Sequence, residues 1–190
     1  MENMIVIGAS VGGLNALKQV LSSLPSDFPV PIIVTQHLMP SCDDSLINLL
    51  NDYCQLNVEY AENGTVPKAG NVYFAQPDYH LRIDKAGVLM LSQDDKVMYS
   101  RPSIDVLFES ASFLQNCQVI AIVLTGTNSD GAKGAKAVQQ NGGKIIVQKP
   151  ETAEEPIMPQ AVIDLIKVDD IIRLDQIGPF IWDMFAKRVS

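Results

Sequence analysis

Three residues able to do acyl-transfer chemistry stand just beyond apolar runs of this 190-residue chain. Ser10 follows Met4-Ile5-Val6-Ile7, His37 follows Ile32-Ile33-Val34, and Asp130 comes shortly after Val119-Ile120-Ala121-Ile122-Val123-Leu124. A serine hydroxyl is too weakly acidic to attack a carbonyl at neutral pH unless a base takes its proton. An imidazole supplies that base, and a carboxylate fixes its tautomer and stabilises the imidazolium. Each residue also has a plain structural reading: Ser10 as a turn or N-cap serine, His37 as a capping or buried histidine, Asp130-Gly131 as a turn pair. The pattern of residues alone leaves both readings open.

The elements that must position these residues follow from periodicity. The run before Ser10 reads as a buried strand, Gly8-Ala9-Ser10-Val11-Gly12-Gly13 as a glycine turn, and Leu14, Leu17, Leu21 and Leu24 as the apolar stripe of a helix. A second buried strand ends at Thr35-Gln36-His37, and Leu46, Leu49, Leu50 and Tyr53 mark a second helix. The stretch from Val58 to about Tyr99 carries short apolar runs between Gly64, Gly70 and Gly87 and predicts small antiparallel strands and hairpins. Pro102 is expected in the first turn of a helix with Ile104, Leu107, Phe108, Ala111 and Leu114 on its apolar face. Strands then follow at 119–124, 144–148 and 171–174, with a helix over 132–140 ended by Asn141-Gly142-Gly143, and a closing helix through Ile177, Phe180, Ile181, Met184 and Phe185. The expected architecture is one α/β domain over 1–190, Rossmann-like and doubly wound: a mostly parallel sheet with helices on both faces plus a small antiparallel hairpin region. In such sheets ligands bind beyond the carboxyl ends of the strands, where all three residues fall.

Rival chemistries fare less well. Leu14 and Asn15 stand where a P-loop needs lysine and a hydroxyl, and Gln36-His37 ends the second strand where a dinucleotide site needs an acid. The two histidines are far apart, with no H-E-x-x-H, so no metal and no cofactor is expected. Cys42, Cys54 and Cys117 show neither metal spacing nor a disulfide framework; Cys42 could be a nucleophile beside His37 or a small apolar loop residue. A net charge of −8 argues against nucleic acid and anionic membranes as partners, and no stretch approaches the apolar length of a membrane span. A reducing cytoplasm is the expected setting. Glu151, Glu154 and Glu155 read as a solvated loop whose approach to the active-site rim is open.

Several segments, in order and over nearly the whole chain, resemble the catalytic domain of the chemotaxis protein-glutamate methylesterases (CheB-type). They are Ile7-Gly8-Ala9-Ser10-Val11-Gly12-Gly13, Gln36-His37-Leu38-Met39-Pro40, Ala75-Gln76-Pro77-Asp78-Tyr79-His80-Leu81, Arg101-Pro102-Ser103-Ile104-Asp105-Val106-Leu107-Phe108, Leu124-Thr125-Gly126-Thr127-Asn128-Ser129-Asp130-Gly131-Ala132, Gly142-Gly143 with Gln148, and Met158-Pro159. The resemblance implies a Ser10–His37–Asp130 triad, with Val11, Gly12 and Thr127 in the oxyanion and active-site loops. It implies demethylation of γ-glutamyl methyl esters on the cytoplasmic helices of chemoreceptors, which would be the partner; some family members also deamidate receptor glutamines. A separate response regulator is a further expected partner.

Departures from the family pattern are Val11, where threonine or alanine is common, and Asn128, where glycine is usual. The family's receiver domain is not seen ahead of the first strand, which begins at residue 4, so the chain is expected to be a stand-alone or excised catalytic domain whose regulation does not carry over. A catalytically idle module docking on receptor helices is the alternative, and a serine esterase or amidase for other substrates a third reading. Arg101 is expected to bind substrate as part of a basic rim with Lys18, Lys133 and Lys136.

Overall fold

A computed structural model describes residues 2–38 and 45–186. The core of the fold is a seven-stranded sheet in the order β3-β4-β2-β1-β7-β8-β9, in which every pairing is parallel. Its strands are β1 (Asn3–Ala9), β2 (Ile32–Gln36), β3 (Asn57–Tyr60), β4 (Asn71–Phe74), β7 (Gln118–Val123), β8 (Lys144–Gln148) and β9 (Asp170–Ile172). The helices are α1 (Gly13–Leu21), α2 (Ser45–Tyr53), α3 (Ile104–Ala111), α4 (Ala132–Gln140), α5 (Ile157–Leu165) and α6 (Leu174–Ala186). A separate antiparallel hairpin pairs β5 (His80–Ile83) with β6 (Leu89–Ser92).

Strand alternation sorts the apolar side chains onto two faces. Ile5, Ile7, Ile32, Val34, Ile120 and Ile122 meet α1, α2 and α6 on one side. Met4, Val6, Ile33, Ala121 and Val123 meet α3, α4, α5 and the hairpin on the other. Both faces are thus covered, as continuous apolar runs such as Met4–Ile7 demand.

Two expectations need correction. In the stretch from Val58 to Tyr99, antiparallel strand pairing occurs in β5 and β6, with an isolated bridge Val97↔Ser100, while β3 and β4 join the parallel sheet at its edge, in register with β2 through Ile32↔Val72 and Val34↔Phe74. Pro102 precedes α3 rather than lying in its first turn: Ser103 is the N-cap, with an extended backbone and a side chain accepting from the Val106 N–H, and Leu114 lies past the helix end. Helix α5 was not anticipated.

Chain direction sets up the site. From β1 the chain goes through α1 to β2 on one side, while β7 pairs with β1 on the other, so the order reverses beside β1. The parallel register Ala9↔Gln36 and Gly8↔Val123 brings the carboxyl ends of these three strands level.

Candidate active site

Ser10 is the residue after β1 and His37 the residue after β2. The His37 N–H donates to the Ala9 carbonyl (3.0 Å) and the Ser10 N–H to the Thr125 carbonyl (2.9 Å), which locks the three loop beginnings together. Neighbouring strands lie about 4.8 Å apart, so residues one step past the pairing face each other. Gln36, buried behind them, donates from Nε2 to the Ser10 carbonyl (2.8 Å) and the His37 carbonyl (3.1 Å).

The side chains form one hydrogen-bonded chain. Ser10 Oγ lies 3.1 Å from His37 Nδ1, and His37 Nε2 lies 2.7 Å from Asp130 Oδ2. With the Nε2 proton donated to the carboxylate, Nδ1 is left to accept the serine hydroxyl. Ser10 is 8% exposed and Asp130 wholly buried.

Asp130 is held by the start of α3. Oδ2 accepts from the Ile104 N–H (2.8 Å), and Oδ1 from the Asp105 N–H (2.9 Å) and the Ser103 hydroxyl (2.9 Å). Burial alone would raise its pKa, but the His37 hydrogen bond, the Asp105 and Ile104 amides and the His37 charge outweigh it and hold the carboxylate below its ordinary value. Asp105 reciprocates: its Oδ1 accepts the N–H groups of Gly131 (2.9 Å) and Gly134 (2.7 Å) at the start of α4. Burial pushes Asp105 up to about 6, with the nearby Asp130 carboxylate adding to it against those amides.

His80, the second histidine, also serves this arrangement. Fully buried at the start of β5, it donates from Nε2 to the Asp95 carbonyl (3.0 Å) and accepts the Ser103 N–H at Nδ1 (3.2 Å). Burial lowers its pKa, and Arg82 and Arg101 add to that, so it is neutral at pH 7. The hairpin thereby fixes Ser103, which fixes Asp130. Sequence reasoning left His80 without a role; its signal was the Pro77-Asp78-Tyr79-His80 segment ahead of an N-capping serine.

The turn after Ser10 is open to a substrate. Gly12, the N-cap of α1, has φ +76°, which a residue with a Cβ adopts only under strain. Among the described residues, the N–H groups of Val11, Gly12 and Thr127 have no partner in the chain. Val11 is 46% exposed beside them. Asn128 Oδ1 accepts the Asp130 N–H (3.0 Å), so the asparagine closes an Asx turn ahead of the aspartate.

The residues of the expected basic rim are placed as follows. Arg101 borders a cavity of about 170 Å³ beside His37, together with Leu38, Lys96 and Tyr99. Its guanidinium, however, donates to Asp78 Oδ1 (2.8 and 3.1 Å) and to the Gln93 and Asp94 carbonyls (3.1 and 3.0 Å). Four of its five N–H groups thus tie Asp78 to the loop after β6, and the fifth is left for the substrate-binding role expected of it. Lys18 stacks on the Tyr53 ring, 3.2 Å from its centroid. Lys133 and Lys136 are exposed on α4. Cys42, Met39 and Pro40 lie outside the described residues. Cys54 and Cys117 are free thiols whose pKa burial raises, to about 11 for Cys54. Among the described residues no three His, Cys, Asp or Glu side chains gather to hold a metal, and no helix is long and apolar enough to cross a membrane.

Fold and geometry together define a doubly wound α/β domain with a hydroxyl–imidazole–carboxylate chain at its switch point. The model of the CheB methylesterase family matches residues 5–181, and the chain belongs to that family. A Leptospira interrogans relative is 43% identical over 174 residues, covering 92% of this chain and 90% of its own length. Proteins named protein-glutamate methylesterase/protein-glutamine glutaminase from Halalkalibacterium halodurans and Thermotoga maritima are 37% identical over 180 and 164 residues, and this chain spans about half their length (52% and 48%). The crystal structure of the Thermotoga maritima CheB methylesterase catalytic domain superposes with a TM-score of 0.92 at 34% identity, covering 97% of this chain and 99% of that one.

Proposed function

We propose that the protein is a serine hydrolase that demethylates γ-glutamyl methyl esters on the cytoplasmic helices of a chemoreceptor and deamidates receptor glutamines at the same site, as part of chemotaxis adaptation in the cytoplasm. The observation that carries the reading is the unbroken chain from Ser10 Oγ through His37 to the buried Asp130 carboxylate, beside unpaired backbone amides. The names borne by its relatives supply the substrate class.

In this mechanism Ser10 Oγ attacks the γ-carbonyl carbon while its proton passes to His37 Nδ1. The Nε2 proton stays on the ring and is donated to the Asp130 carboxylate, which stabilises the imidazolium. The tetrahedral oxyanion is met by the amides of Val11 and Thr127, with Gly12 keeping the turn open. Collapse breaks the C–O bond to the methyl group's oxygen, and methanol leaves with the Nδ1 proton. Water, deprotonated by His37, then attacks the acyl-enzyme and frees the γ-carboxylate. A glutamine substrate follows the same course with ammonia as the leaving group.

The test is a comparison of substrates: a methylated chemoreceptor cytoplasmic fragment, the same fragment with glutamine at the methylation positions, and a simple alkyl ester. Methanol and ammonia release from the fragments, at kcat/KM well above that for the simple ester, is the expected result. Hydrolysis of the simple ester alone would move the protein to a different substrate class.

A further inference from the structure

Glu154 hangs over the turn that follows Ser10. A Cβ on Gly12 would lie 2.7 Å from the Glu154 Cβ and 2.8 Å from its Oε2. The segment carrying Glu154 is tied to both loops of the site: the Gly126 N–H donates to the Glu155 carbonyl (3.0 Å), the Glu155 N–H to Thr125 Oγ1 (2.9 Å), and the Thr125 hydroxyl to the Val11 carbonyl (2.8 Å). Three residues beyond Glu155, the Met158 N–H donates to the Gly126 carbonyl (2.9 Å). The backbone of Glu154 is therefore fixed, and its exposed side chain lies over Gly12 at the amino end of α1. That end has no side-chain cap and no acidic residue in its first turn. Glu154 takes no hydrogen bond or ion pair from the described residues, so its charge is not cancelled by a partner.

The reaction proposed above starts from a neutral side chain and ends with a carboxylate in the same place. Resting on that reading, we infer that Glu154 sets the charge selectivity of the site, admitting the neutral γ-ester or γ-amide and repelling the γ-carboxylate product. Glu154 is exposed, so its repulsion of a carboxylate a few ångströms away is moderate and screened by salt. Unpaired amides at a helix start would otherwise be a good carboxylate site, and the hydrolysed glutamate would linger there. The same repulsion acts on the oxyanion, so Glu154 gives up some chemical rate for product release.

The experiment uses an N-acetylglutamate γ-methyl ester α-amide as substrate and the matching γ-acid as inhibitor, with the intact chain, Glu154→Gln and Glu151→Gln. Glu151→Gln makes the same charge change on the same loop. Glu154→Gln is expected to lower the inhibition constant of the acid about tenfold while KM for the ester changes less than twofold, and added salt should narrow the gap. Titration of the acid followed by NMR gives the same comparison without turnover. An unchanged inhibition constant, or an equal change in Glu151→Gln, overturns the inference and would leave Glu154 as a partner of the α1 dipole. Absence of methanol release from every variant overturns the esterase reading and the inference with it, an outcome distinct from active variants with equal inhibition.

Discussion

Four donors converge on Asp130, and the energetic character of the site follows from that convergence. The Ser103 hydroxyl, two amides of α3 and His37 Nε2 all favour its ionised form. Asp130→Asn keeps the shape but presents an amide where the imidazole needs an acceptor, so kcat for ester hydrolysis should fall by about 10³–10⁴, with KM little changed. Steady-state kinetics checks this. Because its folded pKa lies below the ordinary 3.8, Asp130 adds stability that is present above that value and lost as pH falls further. Asp105 has the opposite sign. Its carboxyl is raised from 3.8 to about 6, so between these values the folded protein keeps a proton the unfolded chain has released, and stability declines as pH rises through that window. The decline is of order 2–3 kcal/mol. Asp105→Asn retains an acceptor for Gly131 and Gly134 and should remove it. Urea unfolding at pH 4.5 and 7 should show a smaller loss in the variant; parallel losses would mean that another group titrates there.

At the scale of elements, the amino end of α3 is what builds the site. It presses on β1 so closely that a Cβ on Gly8 would overlap Ile104 Cγ2. Gly8→Ala should therefore cost about 1–3 kcal/mol and tilt the amides that hold Asp130. A drop in kcat partly restored by adding Ile104→Val would show that the contact, rather than the glycine backbone, matters. Ser103→Ala loses a cap and a donor to Asp130, and should lower stability by about 1 kcal/mol, read by thermal unfolding. The strands bearing Ser10 and His37 were legible because each is a continuous apolar run buried on both faces. Strands β3 and β4 were not, since short edge strands such as Asn57–Tyr60 carry no sign of direction, and only residues 61–70 join these parallel neighbours. Helix α5 was hidden by Pro156, Pro159 and the acidic residues ahead of it, although Pro159 falls in its first turn, where it is tolerated.

For the molecule as a whole, the sheet separates support from chemistry. Phe28 packs edge-on against Phe185 (5.8 Å between centroids) and near Trp182 (6.4 Å), on the α1–α6 face and at the amino ends of the strands. Phe28→Ala should cost about 3–5 kcal/mol in unfolding free energy yet leave kcat unchanged where the protein remains folded. Coupled loss of both would mean that the two faces are not independent. That Ser10, His37 and Asp130 meet at one end of the sheet was legible in the sequence because each follows a buried parallel strand. The ties of the Arg101 guanidinium and the service of His80 were not, because both depend on where the hairpin docks. The measurement that bears most directly on the central claim is methanol release from a methylated chemoreceptor fragment by the intact chain and by Ser10→Ala. Release by the intact chain that falls to background in the variant is the predicted result; equal release from both, or none from either, would contradict it.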